Sequence, residues 1–185
     1  DTEVHVEYAR ELNDANKRKA IADNQKDIER KRADYRKRII ELYKDECHKE
    51  IEPTETDILK YQLWEEQNHK CLYTDREIGI CDFLGDNPKF DIEHTIPRSV
   101  GGDSTQMNLT LCDAMFNRQV KGARLPSQLT NYADILKRIA PWKSKCEDLR
   151  KQLDKIRTYG GMEKKIKDKL IQKRHRLKME LSYWQ

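Results

Sequence analysis

The chain has 185 residues, of which 36% are hydrophobic and 38% charged. That balance is too polar for one tightly packed globule of this length, and it points to a small core carrying long, solvated helices. Residues 121–185 hold 18 Lys and Arg against 7 Asp and Glu, whereas the other 120 hold 19 against 26. A basic tail on a more acidic body suits a polyanionic partner, and it equally suits a solvated, lysine-rich helix face.

No apolar run approaches the roughly 20 residues of a membrane helix, so no membrane partner is expected. Cys47, Cys71, Cys81, Cys112 and Cys146 are odd in number and widely spaced, which favours reduced thiols in a cytoplasmic protein. Opening on Asp1 and closing on Trp184-Gln185, the chain reads as a segment of a longer protein.

Val4-His5-Val6 alternates like a short strand, with Glu7 directly after it. From Tyr8 to about Cys47 the composition is helical, without Pro or Gly, and its apolar residues thicken only toward Ile39 and Tyr43. This predicts a connector packed at its C-terminal end. Pro53 breaks the pattern, Thr54 and Asp57 form a capping box, and Ile58, Tyr61 and Trp64 give a helical face ending near His69.

Lys70 to Leu84 reads as a hairpin or loop, and Gly85-Asp86-Asn87-Pro88 as a turn. Phe90 to His94 alternates like a strand that Pro97 ends, and Asn108 to Cys112 is a second strand-like run. Asp113 can cap a short helix through Ala114 to Lys121, with Gly122 as its stop. Beyond Pro126, helices are predicted over Asn131–Ile139, Trp142–Arg157 and Glu163–Leu181, with Gly160-Gly161 as an interruption.

The run Asp91-Ile92-Glu93-His94, with Asn108 and Asn117 after it, carries the chemistry. Phosphodiester hydrolysis needs an activated water, neutralised phosphoryl oxygens and help for the leaving oxygen. A histidine with an ordinary pKa of about 6.5 can take the proton from water. The Glu93 carboxylate and the Asn117 amide oxygen match the hard oxygen ligands that Mg²⁺ prefers. Asp91 and Glu93, two apart on a strand, face the same way, and His94 faces the other unless the strand turns there. Asn108 can brace the loop by pairing with backbone groups. Strand carboxylates and turn asparagines are common without any such role. The spacing from His94 to Asn108 to Asn117, with the elements in the order strand, loop, strand, helix, is what favours the catalytic alternative.

Residues from about Lys70 to Pro126, with the phrases CLYTDREIG, FDIEHTIPRSVGGDSTQMNLTLC and FNRQVKGARLP, resemble an HNH nuclease of the ββα-metal type. They look most like the HNH domain of type II CRISPR RNA-guided endonucleases, the Cas-nine family. VHVEYARELNDANKR is similar to the RuvC-like segment that precedes that domain. The implied fold is α+β and mostly helical, with a small ββα-metal core and long flanking helices. The implied divisions are 1–16 as a RuvC-like segment of strand and helix start, 17–53 as a helical connector, 54–142 as the HNH nuclease domain, and 143–185 as a connector leading back.

Residue by residue, the resemblance makes His94 the general base, Glu93 and Asn117 metal ligands, Asp91 a secondary contact to the ion, and Asn108 the bracing asparagine. Glu7 matches a metal-binding glutamate of a RuvC-like site that is incomplete in this chain. Lys121 and Arg124 are the candidates for contact with the cleaved strand. The lysine- and arginine-rich tail, including Lys173, Arg174, Arg176 and Lys178, can meet phosphates, while Tyr73, Trp142, Tyr159 and Trp184 can stack on bases or pack.

Many HNH proteins hold structural zinc with two Cys-x-x-Cys knuckles, but here Cys71 and Cys112 stand alone at those places. Tetrahedral zinc takes four ligands, so both are read as small buried hydrophobes and no zinc is expected unless His69 and Cys81 complete the set.

The expected activity is Mg²⁺-dependent cleavage, with Mn²⁺ able to substitute, of the target DNA strand paired with guide RNA in a bacterial cytoplasmic antiviral defence. The partners this implies are that duplex, the remaining RuvC-like and recognition domains of a parent protein, and an anti-CRISPR inhibitor. The alternatives are a free-standing HNH endonuclease of the homing, restriction or toxin type, and a catalytically inert nucleic-acid-binding scaffold.

Overall fold

The computed structural model describes residues 2–159 and 164–185, with side chains placed for 14–156, 164 and 166–185. The fold is α+β and mostly helical, with one two-stranded sheet among the described residues. The chain divides into two compact units at Tyr61–Gln62.

The first unit is built on α1 (Thr2–Cys47). Its helix composition and lack of Pro or Gly allow an uninterrupted run. Side chains from Asp14 to Asp34 lie almost wholly in solvent, and burial begins at Ile39 and Tyr43. The strand anticipated at Val4-His5-Val6 is instead helical. Two β-branched residues do not make a strand without a neighbouring strand to receive their backbone groups. In α2 (Glu55–Glu66) the Thr54 hydroxyl accepts from the Asp57 amide at 3.2 Å, and the Asp57 carboxylate accepts from the Thr54 amide at 3.0 Å, which closes the capping box. Arg36 reaches Glu55 at 2.8 Å, and the rings of Tyr35 and Tyr61 meet at 5.6 Å.

The second unit holds the site. After α2 the chain makes an antiparallel bridge between Lys70 and Glu77, then a single helical turn, α3 (Ile80–Phe83), within the stretch read as a hairpin or loop. Strand β1 (Phe90–His94) pairs antiparallel with β2 (Leu109–Asp113), and Glu93 stands opposite Thr110 and His94 opposite Leu109. The free edge of β2 is closed by a side chain: Gln67 Oε1 accepts from the Leu111 amide at 2.7 Å, and Gln67 Nε2 donates to the Leu111 carbonyl at 2.9 Å. A buried strand edge is thereby satisfied without a third strand.

Asp113 ends β2 and caps α4 (Ala114–Phe116), its Oδ1 accepting from the amides of Met115 and Phe116. The turn that follows, Asn117–Lys121, is a π turn closed by the Gly122 amide on the Asn117 carbonyl at 2.7 Å.

Helix α5 (Tyr132–Tyr159) runs through Pro141 without a break, so the two helices anticipated there are one. The boundary anticipated at 142–143 falls inside it. Pro141 is exposed, and the buried stripe Ile135, Ile139, Cys146, Leu149 and Leu153 continues past it. Packing along that stripe outweighs the one backbone hydrogen bond that proline forgoes. Helix α6 (Lys164–Trp184) packs along α5. The Gly160-Gly161 interruption lies outside the described residues. Among the described residues, no helix is long and apolar enough to cross a membrane.

Cys71, Cys112 and Cys146 are buried free thiols. Cys47 and Cys81 are not free thiols, against the expectation of reduced thiols throughout.

Candidate active site

Successive strand residues point to opposite sides, and at the end of β1 this alternation divides the site in two. Glu93 turns inward, 3% exposed, while His94 is half-buried at the surface. Asp91, on the Glu93 side but nearer the start of the strand, is exposed and accepts from the Ile92 amide at 2.8 Å.

The Glu93 carboxylate is held on both oxygens. The hydroxyl of Thr110, its cross-strand partner, donates to Oε1. The Lys121 ammonium lies 2.9 Å from Oε2, with both side chains 1% exposed. That second contact is a meeting of charges and not an aligned hydrogen bond. Lys121 Nζ also donates to the His94 carbonyl at 2.8 Å and lies 5.9 Å from the centre of the Tyr73 ring. Burial, together with the charge of Glu93, holds the Tyr73 phenol well above its ordinary pKa, so it stays protonated beside the carboxylate.

His94 sits where a loop folds back on the strand end. Arg98 Nε donates to His94 Nε2 at 3.3 Å, and the Ser104 hydroxyl lies 3.4 Å from the same nitrogen. Arg98 Nη2 in turn donates to Ser104 Oγ at 2.7 Å. Arg98 and Ser104 thus both face the same ring nitrogen from the loop.

The loop is pinned by Asn108, which has no exposed surface. Asn108 Oδ1 accepts from the Ile96 amide at 2.8 Å, and Nδ2 donates to the carbonyls of Ile96 at 3.1 Å and Asp103 at 2.7 Å. Gly102 passes so close that a Cβ there would lie 1.7 Å from the Ile96 carbonyl oxygen. From α6, the Tyr183 hydroxyl donates to Asp103 Oδ2 at 2.6 Å. Hydrogen bonds from Tyr183 and Thr105 hold Asp103 below the usual carboxylate range.

Asn117 is half-buried and opens the π turn that Lys121 closes. Arg124 is exposed, its guanidinium donating to the Val120 carbonyl. Lys121 is not: the π turn directs it inward, and a buried ammonium paired with Glu93 is not placed to touch a DNA strand. Tyr73 and Trp184 are core residues, and only Trp142 of the anticipated stacking residues is partly open. The side chains of Glu7 and Tyr159 lie outside the described residues. Thr110, Arg98, Ser104, Asp103 and Tyr183 were not anticipated, and neither was the place of Tyr73 beside Glu93, because each joins the site through a contact distant in sequence or through a loop without a pattern.

Glu93 and Asn117 suit a hard divalent cation in their chemistry, since both offer oxygen. Glu93 Oε2, buried and without an aligned donor, is the kind of atom that a cation completes. Cys71 and Cys112 are buried, and their mutual contact lowers the Cys71 thiol pKa to about 6 and, with burial, pushes Cys112 above the thiol range. His69 is stacked on Trp64 at 3.6 Å.

Two antiparallel strands run into a capped helical turn, with a histidine ending the first strand and an asparagine opening the last turn, a ββα arrangement. Residues 71–127 match a protein family described as HNH endonuclease. The CRISPR-associated endonuclease Cas9 1 of Streptococcus thermophilus is 28% identical over 134 residues, which is 71% of this chain and 12% of that protein. Cas9 of Staphylococcus aureus is 35% identical over 75 residues, 40% of this chain and 7% of that protein. The solved Streptococcus thermophilus Cas9 in complex with the AGAA PAM overlaps 64% of this chain and 12% of its own, at 26% identity and a TM-score of 0.49. Residues 71–127 thus match the HNH endonuclease family, and the chain as a whole is similar to a segment of these Cas9 proteins. It spans about an eighth of the length of the Streptococcus thermophilus relative.

Proposed function

We propose that this chain is the metal-dependent part of a CRISPR RNA-guided effector that cuts the DNA strand paired with the guide. The observation that carries the reading is His94 at the end of β1, its Nε2 at the surface, with the Glu93 carboxylate one residue behind it and Asn117 at the head of the following turn.

In this reading His94 Nε2 takes the proton of the attacking water, with Arg98 turning from the ring to the incoming phosphate as the strand docks. Glu93 and Asn117 would hold Mg²⁺, or Mn²⁺ in its place, with Asp91 as a secondary contact. The ion, when bound, neutralises phosphoryl charge and eases departure of the 3′-oxygen. Asn108 keeps the loop after His94 in register, and Arg124 contacts the strand. The remaining domains of the parent enzyme supply the guide and the duplex.

The test is a 5′-labelled target strand offered to the guide-loaded parent enzyme in Mg²⁺. Wild type nicks it, and His94→Ala binds the target but leaves the label intact. Undiminished target-strand cutting by His94→Ala would remove the general-base assignment. Binding without any nicking by the wild type would favour an inert scaffold.

A further inference from the structure

We infer that Lys121 is an internal counter-cation: it occupies the Glu93 carboxylate until a divalent ion takes that oxygen, and it ties that exchange to the position of His94. The inference rests on the reading of Glu93 as a metal ligand and deepens it.

A carboxylate 1% exposed and facing the protein interior is costly to bury unless a positive charge lies close by. The Lys121 ammonium supplies that charge at 2.9 Å from Oε2. Its remaining hydrogen-bonding capacity goes to the His94 carbonyl at 2.8 Å, so one ammonium joins the metal-ligand candidate to the backbone of the base. Thr110 holds the other carboxylate oxygen, which leaves Oε2 as the atom over which the two cations compete.

The device sits on the element best able to yield. Lys121 closes a π turn, and Gly122 after it has φ +50°, where a side chain is strained. A π turn holds one residue more per hydrogen-bonded ring than an α turn, and it can redistribute that residue when a contact changes. Asn117, the second oxygen donor, heads the same turn. The competing lysine and the candidate asparagine ligand therefore close and open one short turn. A lysine serving only as a structural pair would stabilise the fold and leave metal affinity untouched.

The test uses the 185-residue chain with Mn²⁺ as the probe, binding being read from the spin signal of free Mn²⁺. Lys121→Gln keeps a donor for the His94 carbonyl but removes the competing charge. It is expected to bind Mn²⁺ about tenfold more tightly than wild type, the worth of one charge-assisted contact to the carboxylate. Glu93→Gln is expected to abolish the binding in both backgrounds. Equal Mn²⁺ affinity in wild type and Lys121→Gln, with Glu93 still required, would overturn the counter-cation role. Mn²⁺ binding that ignores Glu93→Gln would instead remove the ligand assignment beneath it.

Should Lys121→Gln fail to fold, the wild-type chain decides the matter by NMR of the lysine ammonium groups. Saturating Mg²⁺ is expected to shift or broaden the Lys121 Nζ signal, and not to do so in Glu93→Gln. A Lys121 signal unmoved by bound Mg²⁺ would refute the exchange.

Discussion

Asn108→Ala isolates the brace behind His94 from the chemistry in front of it. The Asn108 side chain has no exposed surface, and its amide serves three backbone groups: the Ile96 N–H, the Ile96 carbonyl and the Asp103 carbonyl. Alanine removes all three hydrogen bonds and supplies nothing in return. Each neutral bond contributes about 1 kcal/mol net, and a group left buried without a partner costs about 1–3 kcal/mol. Asp103 is exposed, so its carbonyl can turn to water, whereas the half-buried Ile96 groups do so less readily. The expected loss is therefore about 3 kcal/mol, roughly a hundredfold in the folding equilibrium. Urea denaturation of the chain reads the stability, and target-strand nicking by the parent enzyme reads the consequence for His94. Nicking should fall more than tenfold while target binding holds, because no group that faces the substrate has been altered. A stability loss below about 1 kcal/mol with normal nicking would show that the loop holds its shape without Asn108.

Two further perturbations probe the same loop and its support. Gly102→Ala places a Cβ 1.7 Å from the Ile96 carbonyl oxygen, and since that neighbour is backbone the loop itself must shift. About 1–3 kcal/mol of stability should be lost, with nicking reduced alongside it, and an unchanged urea midpoint would contradict the close approach. Glu180, on α6, gives a pH dependence. Burial, and then the charge of Glu66, push its pKa up to about 7 against the pull of Arg176. Because the folded-state value lies above the ordinary 4.5, the unfolded chain ionises first as pH rises. Stability should therefore fall by about 3 kcal/mol between pH 4.5 and 7 and level off above. Glu180→Gln should remove most of that slope in urea titrations at pH 5 and pH 8, and equal slopes in the two proteins would refute it.

What could be read from the sequence was what short-range chemistry decides. Phe90–His94 alternates, Asp113 offers a carboxylate to a helix start, Thr54 and Asp57 exchange hydrogen bonds across one turn, and Gly122 accepts a positive φ; each appears in the structure where its own neighbours dictate. What could not be read depends on partners far along the chain. Pro141 looks like a break until the apolar stripe on both sides of it finds α6 to pack against. Gln67 is an ordinary helical polar residue until the fold brings it to the open edge of β2. Ile78 donates to the His69 carbonyl at 2.7 Å beside the Lys70–Glu77 bridge, and the chain then turns into α3.

Lys121 is the instructive failure. A lysine after a helical turn in a basic stretch reads as solvent-facing and available to phosphate, and nothing in its local sequence says otherwise. Its burial follows from two tertiary facts: a π turn that aims it inward, and a carboxylate already committed to the interior by strand alternation. Either charge alone would be too costly to bury. Together, with Thr110 on one carboxylate oxygen and the His94 carbonyl accepting from the ammonium, they form a polar core directly behind the candidate base. The residues that orient His94 are thus set apart from those that can meet a DNA strand. The first group, Glu93, Asn108 and Lys121, is buried, and the second, Arg98, Ser104 and Arg124, lies at the surface. Changes to the first group should therefore act on cutting more than on binding, and changes to Arg124 should weaken binding with the salt sensitivity of a phosphate contact.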